Sequence, residues 1–245
     1  MFRLASVARA IALGAVVLTP SCRRDEPVEL PHFVGLFPRV AYTGFNPNAE
    51  FRVVYVTNIL EPDLEWTLED PSLATLEPTE PPAIEGVDVT KLRFALVRTK
   101  QAGKTTVSVR SGDTTMKVDL EIRAYTDAEL RTGKERYEIG SGGDPARRPC
   151  AGCHAKADGV DHSPLRMAGF DDETILGVVQ RATYPPSPRG QSTTSAFAPT
   201  GPLSFSGHKW NLRDDERTAI LAHLRSLPLG GRRFVDAGAA TDAPP

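Results

Sequence analysis

Between Phe51 and Ile122 apolar and polar residues mostly alternate, and beyond Tyr125 that period of two gives way to helical spacing. A period of two puts successive side chains on opposite faces of a strand, whereas a period near 3.6 lines up one face of a helix. The runs 51–57, 64–68, 92–97, 105–110 and 116–122 read as strands. Turn-forming residues at 44–48, 61–63, 77–82 and 111–113 separate them. This spacing predicts an antiparallel sandwich of about seven strands over 32–124. Helical signals then begin after Tyr125-Thr126-Asp127, where Thr126 or Asp127 suits a helix cap before 128–139. Two domains therefore suit a chain of 245 residues better than one. The formal charge is -2 and no basic stripe carries interleaved aromatics, which sets nucleic acid aside as a partner.

The first twenty-two residues have the form of an export signal: Arg3 and Arg9 are followed by a short apolar core at 10–18. That core is too short to span a bilayer comfortably. The end of this region, Leu18-Thr19-Pro20-Ser21-Cys22, resembles the lipidation site of bacterial lipoproteins. In that family a leucine stands three residues before the cysteine; here Thr19 takes that place and Leu18 lies one position further out. The resemblance implies lipid on Cys22, against the alternatives of ordinary cleavage nearby or an uncleaved anchor. Residues 23–31, charged and proline-bearing, read as a tether. An exported, membrane-anchored protein in the periplasm or at the outer surface is expected.

Gly- and Pro-rich residues 140–149 end the first helix and present Cys150-Ala-Gly-Cys153-His154. Two cysteines two residues apart followed by histidine form the attachment signature for c-type haem. Cysteines at i and i+3 share one side of a helical turn, from which both sulfurs can reach the vinyl groups of one porphyrin. His154 then falls beneath the iron as proximal ligand. A zinc knuckle would need four ligands, and a second cysteine pair is missing. A thioredoxin-type dithiol would sit between a strand and a helix of a βαβ unit, a pattern absent around Cys150. Coincidence is the third alternative for so short a motif. The chain has three cysteines, and lipid on Cys22 with haem on Cys150 and Cys153 would use them all.

Two family resemblances follow. Residues 32–124 resemble the bacterial immunoglobulin-like domains of surface proteins, through Trp66-Thr-Leu-Glu-Asp-Pro71-Ser-Leu-Ala-Thr-Leu76 and Ala102-Gly-Lys-Thr-Thr-Val107. No cysteine pair of the antibody type is present. Trp66 is expected in the core. Residues 126–228 resemble the small class I cytochromes c. Gly133 and Tyr137 stand where that family packs its first helix on its last, Ser163-Pro164-Leu165 resembles a loop end, 171–179 a middle helix and 213–227 a closing helix. Ile220, Leu221, Leu224 and Leu227 share one face of the closing helix, and Pro228 stops it. The resemblance implies an immunoglobulin-like sandwich followed by an all-α cytochrome c domain, with a tail over 229–245 that reads as disordered.

That family's distal methionine has no counterpart, since no methionine follows Met167. His208 stands just before the closing helix and is the favoured distal iron ligand; Met167 is the runner-up, more commonly a packing residue. His162 reads as part of a solvated loop, His223 as a packing residue, and an open sixth site is a further alternative. His32 is a lone histidine near a terminus with no expected role. Trp210, Tyr184 and Phe197 are candidates to shield the haem face. The expected function is electron transfer by one covalently bound haem c per chain, between a redox-protein donor and acceptor, with no catalysis beyond outer-sphere transfer. The alternative is a haem-containing binding or sensor module in which the sandwich docks a partner.

Overall fold

The structure is a computed structural model that describes residues 35–60, 62–80, 83–84, 89–140, 149–154, 162–181, 208–228 and 234–235. The export signal, Cys22, the tether, His32, Tyr184 and Phe197 lie outside the described residues. The strands are β1 (Leu36–Phe37), β2 (Val40–Phe45), β3 (Arg52–Thr57), β4 (Glu65–Leu68), β5 (Ala74–Thr79), β6 (Ala83–Ile84), β7 (Arg93–Thr99), β8 (Gly103–Ser111) and β9 (Thr114–Ala124). They are followed by α1 (Asp127–Ile139), α2 (Ala151–His154), α3 (Pro164–Met167), α4 (Asp172–Arg181), α5 (Asp214–Arg225) and β10 (Phe234–Val235).

Two four-stranded sheets hold the fold, in the orders β1-β3-β7-β5 and β2-β9-β8-β4. The first is antiparallel throughout. In the second, β2 runs parallel to β9, with Val40 opposite Asp119 and Phe45 opposite Ala124. Alternation along β8 and β9 sends Val107, Val109, Val118, Leu120 and Ile122 inward, where they meet Val53, Tyr55, Ala74 and Val97 of the first sheet. Full burial of each such side chain contributes about 1.5–3 kcal/mol. Trp66 is half-buried against this core.

The first sheet is covered on its other face as well. Val53, Val54, Tyr55 and Val56 are all at most 1% exposed, an unbroken apolar run of the kind found in a strand buried on both sides. Val54, Val56, Phe94 and Leu96 form a second cluster with Phe37 and Leu92, and Leu165 of α3 belongs to it. Ala168, just past α3, belongs to the core between the sheets. The amide of Tyr42 in β2 donates to its carbonyl at 2.8 Å.

The helices begin where the strand signals stop. Thr126 caps α1: the Glu129 amide donates to its hydroxyl at 3.2 Å, and the Glu129 carboxylate accepts from the Thr126 amide at 2.7 Å. The buried Asn46 joins this start to the sheet by donating to Tyr125 O and to Asp127, each at 2.9 Å. Gly133 lets α1 lie directly on α5, since a Cβ there would stand 1.9 Å from the Ala219 carbonyl oxygen. The Arg136–Glu216 pair, at 2.7 Å, closes the same interface. α5 in turn reaches the sheets, with Ala222 packed beside the stacked rings of Phe51 and Tyr125.

These contacts overturn the expected immunoglobulin-like sandwich followed by an all-α cytochrome c domain, and with it both family resemblances. The described residues form a β-rich, two-sheet body carrying three helices of ten residues or more, α1, α4 and α5. The helices do not make a separate all-α unit, because Leu165, Ala168 and Ala222 complete clusters that the sheets begin. Ser163-Pro164-Leu165, read as a loop end, starts α3. In the tail expected to be disordered, Phe234–Val235 pair antiparallel with Ala83–Ile84.

Candidate functional site: a histidine and tyrosine array

α2 is a single turn. The His154 amide donates to Cys150 O at 2.8 Å, which places the Cys150 thiol and the His154 ring one turn apart on one side. Cys150 and Ala151 pack against a cluster made of Tyr137, Met167, Ile175, Val179, Trp210, Leu212, Ile220, Leu221 and Leu224. Ile220, Leu221 and Leu224 of α5 lie with Tyr137 in this cluster, and Leu227, read from the sequence as part of the same helix, packs against it from just beyond the end of α5 at Arg225. The backbone of Cys153 lies in α2, while its side chain is outside the described residues.

Four of the five histidines join Tyr137 in a chain of ring contacts, from His208 to His154, His162, Tyr137 and His223, while His32 lies outside the described residues. The rings of His154 and His162 stack at 3.8 Å between centres, tilted by 20°. His162 Nδ1 lies 3.4 Å from the Tyr137 hydroxyl. On its other side Tyr137 meets His223 of α5 at 4.8 Å, with the rings inclined at 57°. His208 stands 6.1 Å from His154, with the two rings 22° from parallel.

His208 is held by the residues after it. The amides of Lys209 and Trp210 both donate to the Val179 carbonyl of α4, at 2.9 and 3.0 Å. Lys209 has φ 77°, left-handed backbone that a non-glycine residue adopts at a cost of about 1–2 kcal/mol. Trp210, 3% exposed, fills the cluster beneath. Val179 and Trp210 thus fix where the His208 backbone enters the array.

Burial keeps three of these imidazoles uncharged at neutral pH. It pushes His208 down to about 4, helped by His154. It does the same to His223, where Lys134 lowers and Glu138 raises the affinity for a proton. His162 is held well below the ordinary histidine range by burial first and then by His154, His208 and His223. A neutral imidazole is the form that ligates a metal.

Among the described residues, no group of three or more His, Cys, Asp or Glu is arranged to hold a metal ion by itself. The expectation of metal binding is corrected to that extent, because stacked rings such as His154 and His162 do not converge on a common point. An iron already held in a porphyrin asks less of the protein, one or two axial ligands and a covalent anchor. Two imidazoles that would both bind one metal ion, each at about 2.0–2.1 Å, would have ring centres no more than about 6 Å apart. The ring centres of His154 and His208 are 6.1 Å apart, within that reach, with their planes 22° from parallel.

Met167, the runner-up, is 9% exposed and lies in the same apolar cluster as Cys150. His162 was missed as a site residue: it is half-buried and stacked on His154, not part of a solvated loop. Its signal was the Ser163-Pro164 pair that follows, since proline at the first helical position marks a helix start. A residue just before a docked helix is seldom free in solvent.

No protein-family model and no curated protein sequence matches the chain. Among solved structures, the chain is similar to domains 1–6 of the surface-layer protein SbsC, with 14% identity over 38% of this chain and 13% of that one, at a TM-score of 0.30. It is similar also to domains 4 and 5 of the S-layer protein SbsC, with 13% identity over 38% of this chain and 45% of that one, at a TM-score of 0.29. The chain thus spans less than half the length of either S-layer structure.

Proposed function

We propose that this chain carries one haem, which Cys150 and Cys153 would hold covalently and to whose iron His154 and His208 would be ligands, and that it passes single electrons between redox-protein partners. The observation that carries the reading is the attachment signature at 150–154 together with the 6.1 Å separation of the His154 and His208 rings. When bound, the haem supplies a one-electron iron couple. Cys150 and Cys153 would hold the group covalently through their sulfurs. His154 and His208 donate ring nitrogens, and two imidazoles favour a lower potential than a histidine and methionine pair. Trp210, Tyr137 and Ile220, each less than a tenth exposed, keep water from the apolar side of the array. Export and a lipid anchor on Cys22 are part of the same proposal, because covalent attachment of haem in bacteria follows export.

The test is expression of the chain in a host that matures c-type haem, beside a known maturing control. A covalently red protein whose low-spin spectrum is lost in His208→Ala and kept in Met167→Ala is the expected result. Colourless wild-type chain beside a coloured control would overturn the haem reading. A spectrum that changes only with Met167→Ala would move the distal ligand. A high-spin wild type that binds carbon monoxide would favour the sensor alternative.

A further inference from the structure

The guanidinium of Arg225, 2% exposed, lies where α5, α3, α4 and β2 meet. Its Nη1 donates to Tyr42 O of β2 at 2.9 Å and to Met167 O of α3 at 3.0 Å. Its Nη2 donates to Phe170 O at 2.6 Å and to the Asp172 carboxylate at 3.0 Å. The Tyr42 ring lies 5.7 Å below the guanidinium carbon. A planar fork can satisfy four acceptors at once in this way, which a lysine ammonium on its flexible stem cannot reproduce.

All three acceptors besides Tyr42 belong to the segment that follows His162. Within that segment the Met167 amide donates to Ser163 O at 3.0 Å, so α3 transmits the position of its last carbonyls back to the residue beside His162. The Ala168 carbonyl is held separately by the Tyr42 amide, and Leu165 is sunk in the outer cluster of the first sheet. His162 accordingly stands at the near end of a short helix whose far end is clamped to a strand. Among the described residues its ring meets those of His154 and Tyr137.

We propose that Arg225 is a positioning residue for the histidine array: braced on the β2 backbone, it sets the place of α3 and so keeps the His162 ring stacked on His154. The two-sheet body is then scaffold for the site and not a spacer beside it. This goes beyond the haem reading, because the stacking is a contact between the chain's own side chains.

The test is solution NMR on the full chain made without haem maturation, comparing wild type, Arg225→Lys and Arg123→Lys. Arg123 binds the other oxygen of Asp172 at the surface and serves as control. In a folded Arg225→Lys chain the cross-relaxation between the His154 and His162 rings, and between His162 and Tyr137, should fall to under a tenth, while Arg123→Lys keeps both. Retention of both contacts in folded Arg225→Lys would overturn the proposal, as would their equal loss in Arg123→Lys. Should Arg225→Lys not fold, hydrogen exchange in wild type decides. The Tyr42 and Met167 amides should exchange as slowly as Leu224. Exchange 100-fold faster, with Leu224 and Ile122 still protected, would show that α3 opens independently of the clamp and would overturn the proposal.

Discussion

The ring centres of His154 and His208 lie 6.1 Å apart with their planes 22° from parallel, although 53 residues of chain connect them. That spacing is set by α2 on one side and by Val179, which accepts from the two amides after His208, on the other. If both rings bind one iron, His208→Met should raise the reduction potential of the loaded protein, since a thioether favours the ferrous state relative to imidazole. Spectroelectrochemistry of wild type and variant measures this, and an unchanged potential with an unchanged spectrum would place His208 away from the iron.

Gly133→Ala should destabilise the protein although alanine is the better helix former by about 1 kcal/mol. The new Cβ would lie 1.9 Å from the Ala219 carbonyl oxygen and 2.6 Å from its carbon, a contact with rigid backbone. A net loss of about 1–3 kcal/mol is expected, read from urea unfolding; a gain in stability would mean that α1 and α5 are further apart than described.

The haem-free protein should lose stability as the pH falls from about 6.5 towards 4. His223 takes up its proton near 6.5 when unfolded but only at about 4 when folded, because it is buried against Tyr137. The unfolded chain therefore binds more protons across that window, which favours unfolding as the solution is acidified. Glu138 partly offsets the effect and Lys134 adds to it. His223→Phe keeps a ring against Tyr137 and should make the pH dependence of the melting temperature between pH 6.5 and 4 shallower, leaving the share due to His208 and His162, whereas an unaltered profile would exclude His223 as a contributor.

A fragment of residues 126–228 should not fold by itself. Leu165, Ala168 and Ala222 would lose the clusters that bury them, and Arg225 would lose Tyr42 O. Arg225 would keep Met167 O, Phe170 O and Asp172, so the larger loss is the exposure of Leu165, Ala168 and Ala222, and a missing acceptor on a buried group adds about 1–3 kcal/mol, a sizeable share of the stability of a domain this size. Circular dichroism during heating tests this: a cooperative helical transition matching that of the full chain would restore an independent helical domain.

Much of the local structure can be read directly from the residues. Strands β4, β8 and β9 follow alternating runs, because a period of two leaves one face apolar wherever the chain is extended, while β3 and β7 form on the runs at 51–57 and 92–97 with consecutive buried residues. Thr126 three residues before Glu129 marks the start of α1, since hydroxyl, carboxylate and free amides are all within one turn. The attachment signature at 150–154 is equally local. Signals for two corrections were also present: the unbroken Val53-Val54-Tyr55-Val56 run pointed to burial on both faces, and Arg225, four residues after Leu221, stands beside the apolar face of α5.

What the amino-acid sequence determined alone is therefore the type of each element, its caps and the cysteine and histidine spacing on one helical turn. The tertiary structure decided the parallel pairing of β2 with β9, the docking of Leu165 on the outer face of the first sheet, the stacking of His162 on His154 and the burial of Arg225. The physical reason is distance along the chain. Propensity, periodicity and capping act within a turn or two, whereas Arg225 finds Tyr42 O across 183 residues and His162 finds Tyr137 across 25, and those partners are chosen only when apolar surface is buried throughout the body at once.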